Sequence, residues 1–95
     1  MARLKDKVAM ITGAASGFGE GMAKRFAEEG AQVVVADLNA KGAERVAGEI
    51  GQAGLPVTVD VSLKSDIDAM VAAAMEAHGR IDIMVNNAGF THTNQ

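Results

Sequence analysis

The sequence contains no cysteine, tyrosine or tryptophan, and it has a single proline. Without cysteine the chain can form neither a disulfide nor a thiolate metal site. The absence of cysteine does not determine the redox compartment and only slightly favours the cytosol. No stretch approaches the roughly 20 apolar residues that a membrane span requires. Charges are balanced, with 9 lysines and arginines against 12 aspartates and glutamates. This balance gives no reason to expect nucleic acid or an anionic membrane as a partner.

The N-terminal residues also lack the pattern of a secretory signal. Charged residues at positions 3 and 5–7 precede an apolar run of only four residues, 8–11, which is too short for a signal core. We therefore expect a cytoplasmic protein. A length of 95 residues allows one small domain. Neither His78 nor His92 has a neighbour at metal-ligand spacing, so we predict no metal site.

Two hydrophobic periodicities alternate along the chain. Continuous apolar runs predict four strands of a parallel sheet buried on both faces, at residues 8–11, 32–37, 56–61 and 81–85. Apolar residues at helical spacing predict three helices between them, which begin at Gly17, near Asn39, and with Ser62 or Ser65 as the cap. Glycines are expected to end these helices, at Gly30, at Gly51 or Gly54, and at Gly79. Pro56 is placed at the first position of its strand, because proline has no N–H to donate.

The order β-α-β-α-β-α-β predicts an open α/β sheet with right-handed crossovers between parallel strands. We interpret it as the first half of a Rossmann-type, doubly wound fold with strand order 3-2-1-4. The carboxyl ends of the strands share one edge, where strands 1 and 4 form the switch point. The turns after these two strands, residues 12–19 and 86–89, are therefore expected beside one ligand-binding crevice.

The turn after the first strand has the composition of a phosphate-binding loop. Residues 12–19 read Thr-Gly-Ala-Ala-Ser-Gly-Phe-Gly. Glycine lets the backbone approach a pyrophosphate, and the first turn of the following helix offers free N–H groups to an anion. Asp37 ends the next strand at the distance expected for a ribose-binding acid. An ordinary β-α turn, and a helix-capping role for Asp37, are the structural alternatives.

Three motifs resemble those of the short-chain dehydrogenase/reductase family. Residues 12–19 match Thr-Gly-x-x-x-Gly-x-Gly, residues 86–89 match Asn-Asn-Ala-Gly, and Asp60-Val61 matches an Asp-Val pair after strand 3. The resemblance covers the whole chain. Within the family, the chain most resembles bacterial oxoacyl-carrier-protein reductases and sugar dehydrogenases. This resemblance implies a homo-oligomeric oxidoreductase that transfers hydride between a nicotinamide dinucleotide and a small carbonyl or alcohol substrate.

The resemblance assigns a role to each matched position. The residues around the pyrophosphate and its adjacent ribose would be Gly13, Ser16, Gly17, Phe18 and Gly19. Asp60 and Val61 would contact adenine, although Asp60 could instead begin the turn into the third helix. The nicotinamide-side ribose would lie beside Asn87, Ala88 and Gly89. Thr12 and Asn86 would be structural pins at the sheet edge.

Asp37 also predicts which dinucleotide binds. A carboxylate can accept hydrogen bonds from both adenosine hydroxyls, 2′ and 3′, whereas it repels a 2′-phosphate. The positions where NADP-binding relatives carry a cation are Ser16, Leu38 and Asn39, and the nearest cation along the chain is Lys41. We therefore predict NAD in preference to NADP, with Asp37 and Leu38 at its adenosine ribose.

The family's catalytic groups are an asparagine on the next helix, a serine after strand 5 and a Tyr-x-x-x-Lys pair. The chain has no tyrosine and stops at Gln95, in the loop after strand 4. We therefore expect residues 1–95 to be the N-terminal, cofactor-binding half of such an enzyme, with no catalytic residue and no activity alone. The chain would then be a fragment, a truncated gene product or the ordered part of a longer protein. A non-catalytic nucleotide-binding module is the alternative. A methyltransferase that uses S-adenosylmethionine is disfavoured by residues 86–89.

Three further features receive structural interpretations. Gly21 lies inside the first helix, where glycine costs roughly 1 kcal/mol against alanine, and close packing of that helix on the sheet would explain it. Glu44, Arg45 and Glu49 are interpreted as a solvated helix face. Met75 is assigned to the apolar face of the third helix.

Overall fold

The structure is a computed structural model that describes residues 3–87. Seven elements alternate along the chain: β1 (Val8–Thr12), α1 (Gly17–Glu28), β2 (Gln32–Asp37), α2 (Ala40–Ile50), β3 (Gly54–Thr58), α3 (Lys64–His78) and β4 (Ile83–Asn86). The strands are parallel and lie in the order β3-β2-β1-β4. The predicted Rossmann-type sheet and its strand order are confirmed.

β1 and β2 form the buried centre of the sheet. All of β1 is buried, and so are the four apolar residues of β2. Side chains of a strand alternate between the two faces, and two separate core clusters result. Ile11 and Val35 belong to the cluster that α1 and α2 cover. Met10 and Val34 belong to the cluster on the other face, with Met70 of α3.

The helix ends follow the glycine and asparagine pattern of the sequence. Asn39 caps α2 by accepting a hydrogen bond from the Gly42 N–H at 3.0 Å. Gly51 and Gly79 follow α2 and α3 with φ values of 93° and 78°, which suit glycine. The predicted serine cap of α3 is wrong, because Leu63 occupies that position. Ser62 and Ser65 are therefore not needed to begin the helix.

β3 lies earlier in the sequence than predicted, and Pro56 is its central residue rather than its first. β3 is an outer strand of the sheet. The Ala53 carbonyl accepts from β2 and the Val59 N–H donates to β2, so odd-numbered residues face β2 and Pro56 turns its nitrogen outward. The proline therefore removes no hydrogen bond from the β2–β3 ladder.

Four other expectations need adjustment. β4 begins at Ile83 rather than at residue 81, and β1 extends to Thr12. Gly21 is exposed, and a Cβ added there would meet no described atom within 4 Å. Close packing on the sheet therefore does not explain this glycine. Met75 is 45% exposed, because the buried face of α3 is centred on Met70 and Ala74.

Candidate functional site

The turn between β1 and α1 is built by glycines in the left-handed region. Gly13 has φ 66° and Gly17 has φ 59°, values that a side chain disfavours. Ser16 is extended, with φ −160° and ψ 166°, and it is the N-cap residue of α1. Its side chain makes no capping hydrogen bond within residues 3–87. The N–H groups of the first helical turn are therefore left for another acceptor, as at anion-binding helix ends.

Gly19 marks the closest approach of backbone to backbone in this region. A Cβ on Gly19 would overlap the carbonyl oxygen of Gly13 and would lie 2.9 Å from Nδ2 of Asn87. The same Asn87 nitrogen donates to the Gly13 carbonyl at 3.2 Å. The turn, α1 and the residue after β4 meet at this point, so that any side chain at residue 19 would force them apart.

Asp37 joins the end of β2 to the turn. Its Oδ2 accepts from the Ala15 N–H at 2.9 Å, and its Oδ1 accepts from the Asn39 N–H at 2.9 Å. Nearby, the Ala14 N–H donates to the Ala36 carbonyl at 3.0 Å. The helix cap of α2 is Asn39 rather than Asp37. The Asp37 carboxylate therefore stands at the carboxyl edge of the sheet with a backbone hydrogen bond on each oxygen.

Arg45 of α2 also reaches the turn. Its Nη2 donates to the Ala15 carbonyl at 2.9 Å, although the side chain is 48% exposed. Helix α2 can approach this closely because a Cβ on Gly42 would lie only 2.7 Å from the Cβ of Ala15. Glu44, Arg45 and Glu49 are exposed, as expected of a solvated helix face, and Arg45 in addition contacts the backbone of the candidate site.

Four charged side chains link α1 to α2 beside the turn. Hydrogen bonds from Arg45 and Lys24 lower the pKa of Glu20 from 4.5 to about 2, with ion-pair distances of 3.2 Å and 2.7 Å. Glu49 pairs with the same two cations, at 2.6 Å from Lys24 and 3.3 Å from Arg45, and they lower its pKa as well. We call this set of four residues the α1–α2 ion network.

Thr12 and Asn86 end the two adjacent strands β1 and β4. Thr12 is 3% exposed, and its hydroxyl donates to the side-chain oxygen of Asn86 at 2.9 Å. The register pairs the same two residues across the strands. The predicted pin at the sheet edge is confirmed.

Asp60 lies two residues beyond the end of β3. Its Oδ1 accepts from the N–H and the hydroxyl of Ser62, at 3.0 Å and 2.6 Å, while its own N–H donates to Asp66 Oδ2 at 2.9 Å. The preceding residue, Val59, donates its N–H to the carbonyl of Asp37. Asp60 is therefore beside the end of β2 and takes part in the turn toward α3. Val61 is half-buried against the core, and the predicted adenine contacts of both residues stay predictions.

Two large apolar side chains are exposed next to the polar groups of the site. Phe18, in the first turn of α1, is 84% exposed, and Leu38, directly after Asp37, is 69% exposed. Such a mixture of exposed apolar surface and backbone donors is typical of ligand sites. The remaining two predicted site residues, Ala88 and Gly89, lie outside the described residues.

Three contributions to the site are not among those predicted from the sequence. They are the Arg45 contact with Ala15, the close approach permitted by Gly42, and the side-chain bond from Asn87 to Gly13. One signal was available, because a glycine in the first turn of α2 lowers helix propensity without serving as a cap. Arg45 follows Gly42 by three residues, a spacing that places both on one side of the helix.

Comparisons with known proteins agree with this geometry. The model of the "short chain dehydrogenase" family matches residues 7–95. The chain belongs to the short chain dehydrogenase family. A relative of the family, galactitol 2-dehydrogenase of Agrobacterium fabrum, is 51% identical over 86 residues, which cover 90% of this chain and 34% of that enzyme.

Solved structures of relatives superpose on most of the described chain. The crystal structure of 3-ketoacyl-(acyl-carrier-protein) reductase from Brucella melitensis complexed with NADH is 60% identical, with a TM-score of 0.84 over 85% of this chain and 34% of that one. Hydroxysteroid dehydrogenase from Escherichia coli is 41% identical, with a TM-score of 0.88 over 93% and 37%. The predicted similarity to reductases of this kind is confirmed.

The chain is shorter than the proteins it resembles. It spans 14% to 39% of the length of the curated relatives it matches. No helix within the described residues is both long and apolar enough to cross a membrane. No group of three or more potential metal ligands occurs between residues 3 and 87.

Proposed function

We propose that this chain forms the dinucleotide-binding part of an NAD-dependent oxidoreductase. The observation that carries the proposal is the glycine turn that Asp37 joins to the end of β2. Ser16 leaves the first N–H groups of α1 uncapped. Gly19 leaves no side chain at the point where the backbone of α1 comes closest to the Gly13 carbonyl. This cradle suits a pyrophosphate, because both the N–H groups and the helix dipole favour an anion.

Asp37 supports NAD over NADP. Each carboxylate oxygen can accept a second hydrogen bond beside the one from the backbone, so the 2′- and 3′-hydroxyls of a ribose would find acceptors. A 2′-phosphate would bring two further negative charges to the same place. The guanidinium of Arg45 is beside the turn, but it already bonds Glu20, Glu49 and the Ala15 carbonyl. It is therefore a poor counter-ion for a phosphate at Asp37.

The remaining predicted contacts follow the same edge of the sheet. Phe18 and Leu38 would cover apolar parts of the dinucleotide, and Asp60 with Val61 would lie at its adenine end. Asn87, with Ala88 and Gly89 after it, would lie at the nicotinamide end, where Asn87 already holds the carbonyl of Gly13. These assignments rest on the resemblance to the family and on the order of the strands.

Bound nicotinamide supplies or accepts the hydride in enzymes of this kind. The described residues would bind the dinucleotide and orient it at the carboxyl edge of the sheet. A carbonyl or alcohol substrate also needs a proton donor or acceptor. Because the chain contains no tyrosine, the family's usual donor would come from residues beyond these 95.

The relatives support the reaction class and leave the substrate broad. A galactitol dehydrogenase, a sorbitol dehydrogenase and a 3-ketoacyl reductase are all similar to this chain. All three names describe enzymes that react at an alcohol or carbonyl carbon. We accordingly propose a small alcohol or ketone substrate.

Calorimetric titration of the full-length protein with NADH and with NADPH tests the proposal. We expect NADH to bind at least about tenfold more tightly, which corresponds to roughly 1.4 kcal/mol. Equal affinity for the two would contradict the NAD assignment. Binding of neither would contradict the cofactor site itself, whereas binding without turnover of any alcohol or ketone would favour a non-catalytic nucleotide-binding module.

A cytoplasmic location and a homo-oligomeric state belong to the same proposal. Cell fractionation and sedimentation of the full-length protein test them separately. A membrane-associated fraction would contradict the first, and a strictly monomeric species would contradict the second.

A further inference from the structure

Ala15 lies in the middle of the turn, and charged side chains from two other elements hold both of its backbone groups. Its N–H donates to Asp37 Oδ2 at 2.9 Å, and its carbonyl accepts from Arg45 Nη2 at 2.9 Å. Asp37 ends β2, and Arg45 belongs to α2. The conformation of the turn at Ala15 is thus fixed by long-range contacts in addition to its glycines.

The Arg45 contact determines the direction of the next N–H group. A trans peptide is planar, so the Ser16 N–H points away from the Ala15 carbonyl. Arg45 holds that carbonyl on the side of the turn that α2 covers. The Ser16 N–H, which immediately precedes the uncapped first N–H groups of α1, is therefore directed to the opposite side.

The position of α2 makes this contact possible. A Cβ at residue 42 would lie 2.7 Å from the Cβ of Ala15, so only glycine lets the first turn of α2 come this close. Asn39 holds the same turn of the helix by accepting from the Gly42 N–H. Arg45 follows on the same side of the helix and reaches the Ala15 carbonyl.

Arg45 acts here as a hydrogen-bond donor more than as a net charge. It bonds Glu20 at 3.2 Å and Glu49 at 3.3 Å, and Lys24 pairs with the same two carboxylates. The α1–α2 ion network therefore contains two positive and two negative groups. A compensated guanidinium adds little to the attraction of a distant phosphate.

We propose that Arg45 is a positioning residue for the dinucleotide. By holding the Ala15 carbonyl it orients the Ser16 N–H, and with it the phosphate-facing side of the turn. The inference rests on the proposed function, since it concerns the same site. Arg45 itself would not contact the dinucleotide.

Substitution of Arg45 in the full-length protein tests this role. Arg45→Met keeps the aliphatic stem and removes the donors, and we expect NADH and NADPH to bind about tenfold more weakly, each by the same factor. Arg45→Lys can still donate to one carbonyl and should recover most of the affinity. Arg25→Met, the same change at an arginine of α1 paired only with Glu29 among the described residues, should stay within about twofold of the parent.

A second control separates the turn contact from the ion network. Glu49→Gln removes one carboxylate partner of Arg45 and leaves the Ala15 contact in place, so its affinity should also stay within about twofold. A loss in Glu49→Gln equal to that in Arg45→Met would overturn the inference, as would a loss confined to NADPH. The latter result would make Arg45 a direct phosphate ligand.

The Ser16 amide resonance provides a readout that does not need a ligand. In the cofactor-free protein it should shift in Arg45→Met and remain unchanged in Arg25→Met. An unchanged resonance in Arg45→Met overturns the inference, even if the protein binds no dinucleotide and the proposed function fails. If Arg45→Met does not fold, Arg45→Leu, which also lacks hydrogen-bond donors, is measured in its place with the same expected shift.

Discussion

The carboxylate of Asp37 accepts a hydrogen bond from the Ala15 N–H at 2.9 Å, across 22 positions of sequence. One residue is thus both the proposed ribose acceptor and a tether of the phosphate-binding turn. The two roles use the same carboxylate, because each oxygen has room for more than one donor. A substitution at this position must therefore change the turn as well as the choice of cofactor.

The first prediction concerns cofactor choice at Asp37 and Leu38. Replacement of Asp37 by alanine and Leu38 by arginine removes the repulsion of a 2′-phosphate and adds a cation for it. The ratio of NADPH to NADH affinity should rise by about tenfold to hundredfold, the range of one charge-assisted hydrogen bond. Titration with both dinucleotides measures the ratio.

Two control variants show whether a change in the ratio comes from the added cation or from the loss of Asp37. Asp37→Ala alone should weaken NADH binding without creating a site for NADPH, since it also frees the Ala15 N–H. Lys41→Ala, at an exposed residue of α2, should leave both affinities nearly unchanged. An unaltered ratio in the double variant would remove Asp37 from cofactor selection.

The second prediction compares two glycines of α1. Gly19→Ala places a methyl group against the Gly13 carbonyl, so we expect loss of NADH binding and a stability loss of about 1–3 kcal/mol from overpacking. Gly21→Ala adds the same methyl group to open space. It should stabilise the protein by about 0.5–1 kcal/mol through helix propensity and leave binding intact.

Urea unfolding and NADH titration of both alanine variants provide the measurement. The pair is matched in residue type and helix, and differs only in what the methyl group meets. Equal behaviour of the two variants would contradict the tight approach at Gly19.

The third prediction addresses the pin between β1 and β4. Thr12→Val keeps the shape of the side chain and removes the donor to Asn86. We expect a loss of about 0.5–1.5 kcal/mol in the free energy of unfolding. Thr58→Val, at an exposed position of β3, is the matched control and should change stability by less than about 0.5 kcal/mol. A Thr12→Val protein as stable as its parent would show that the bond contributes nothing.

The fourth prediction is a pH dependence of stability. Arg45 and Lys24 hold the pKa of Glu20 at about 2 in the folded protein, below its usual 4.5. A depressed carboxylate pKa stabilises the fold above pH 4.5, and this contribution is lost as the pH falls toward 2. The free energy of unfolding of Glu20→Gln should therefore fall less steeply across this window than that of the parent.

Chemical unfolding at several pH values between 2 and 7 measures the two slopes. Glu44→Gln removes one negative charge from the exposed surface of α2 and serves as the charge-matched control. Since the network is solvent-accessible, high salt should reduce the difference between parent and Glu20→Gln. Identical slopes for these two proteins at low salt would rule out the contribution.

Most of the fold could be predicted from the sequence because the apolar pattern is clearest in the elements that are most deeply buried. β2 was predicted with its observed bounds, since a central strand is apolar on both faces. β3 was displaced because it is an outer strand with exposed residues, and Val59 and Val61 continue the apolar run beyond its end. A half-exposed strand carries a weaker pattern than a central one.

The candidate site was predictable where it depends on local backbone and not where it depends on packing. Gly13, Gly17 and Gly19 follow from the motif alone. The bond from Arg45 to Ala15 joins residues 30 positions apart and needs α2 to lie against the turn. The charge of Arg45 alone does not indicate such a neighbour, because periodicity distinguishes only buried from exposed faces, and the one available signal is Gly42 on the same side of α2.

Pro56 has a consequence for how this sheet meets other polypeptides. The outward positions of β3 are Gly54, Pro56 and Thr58, and the central one has no hydrogen to donate. A foreign strand that approached β3 from solvent would leave its acceptor opposite Pro56 unpaired. Aggregation by strand addition is thereby discouraged on the β3 side, so that any extension of the sheet is favoured at β4.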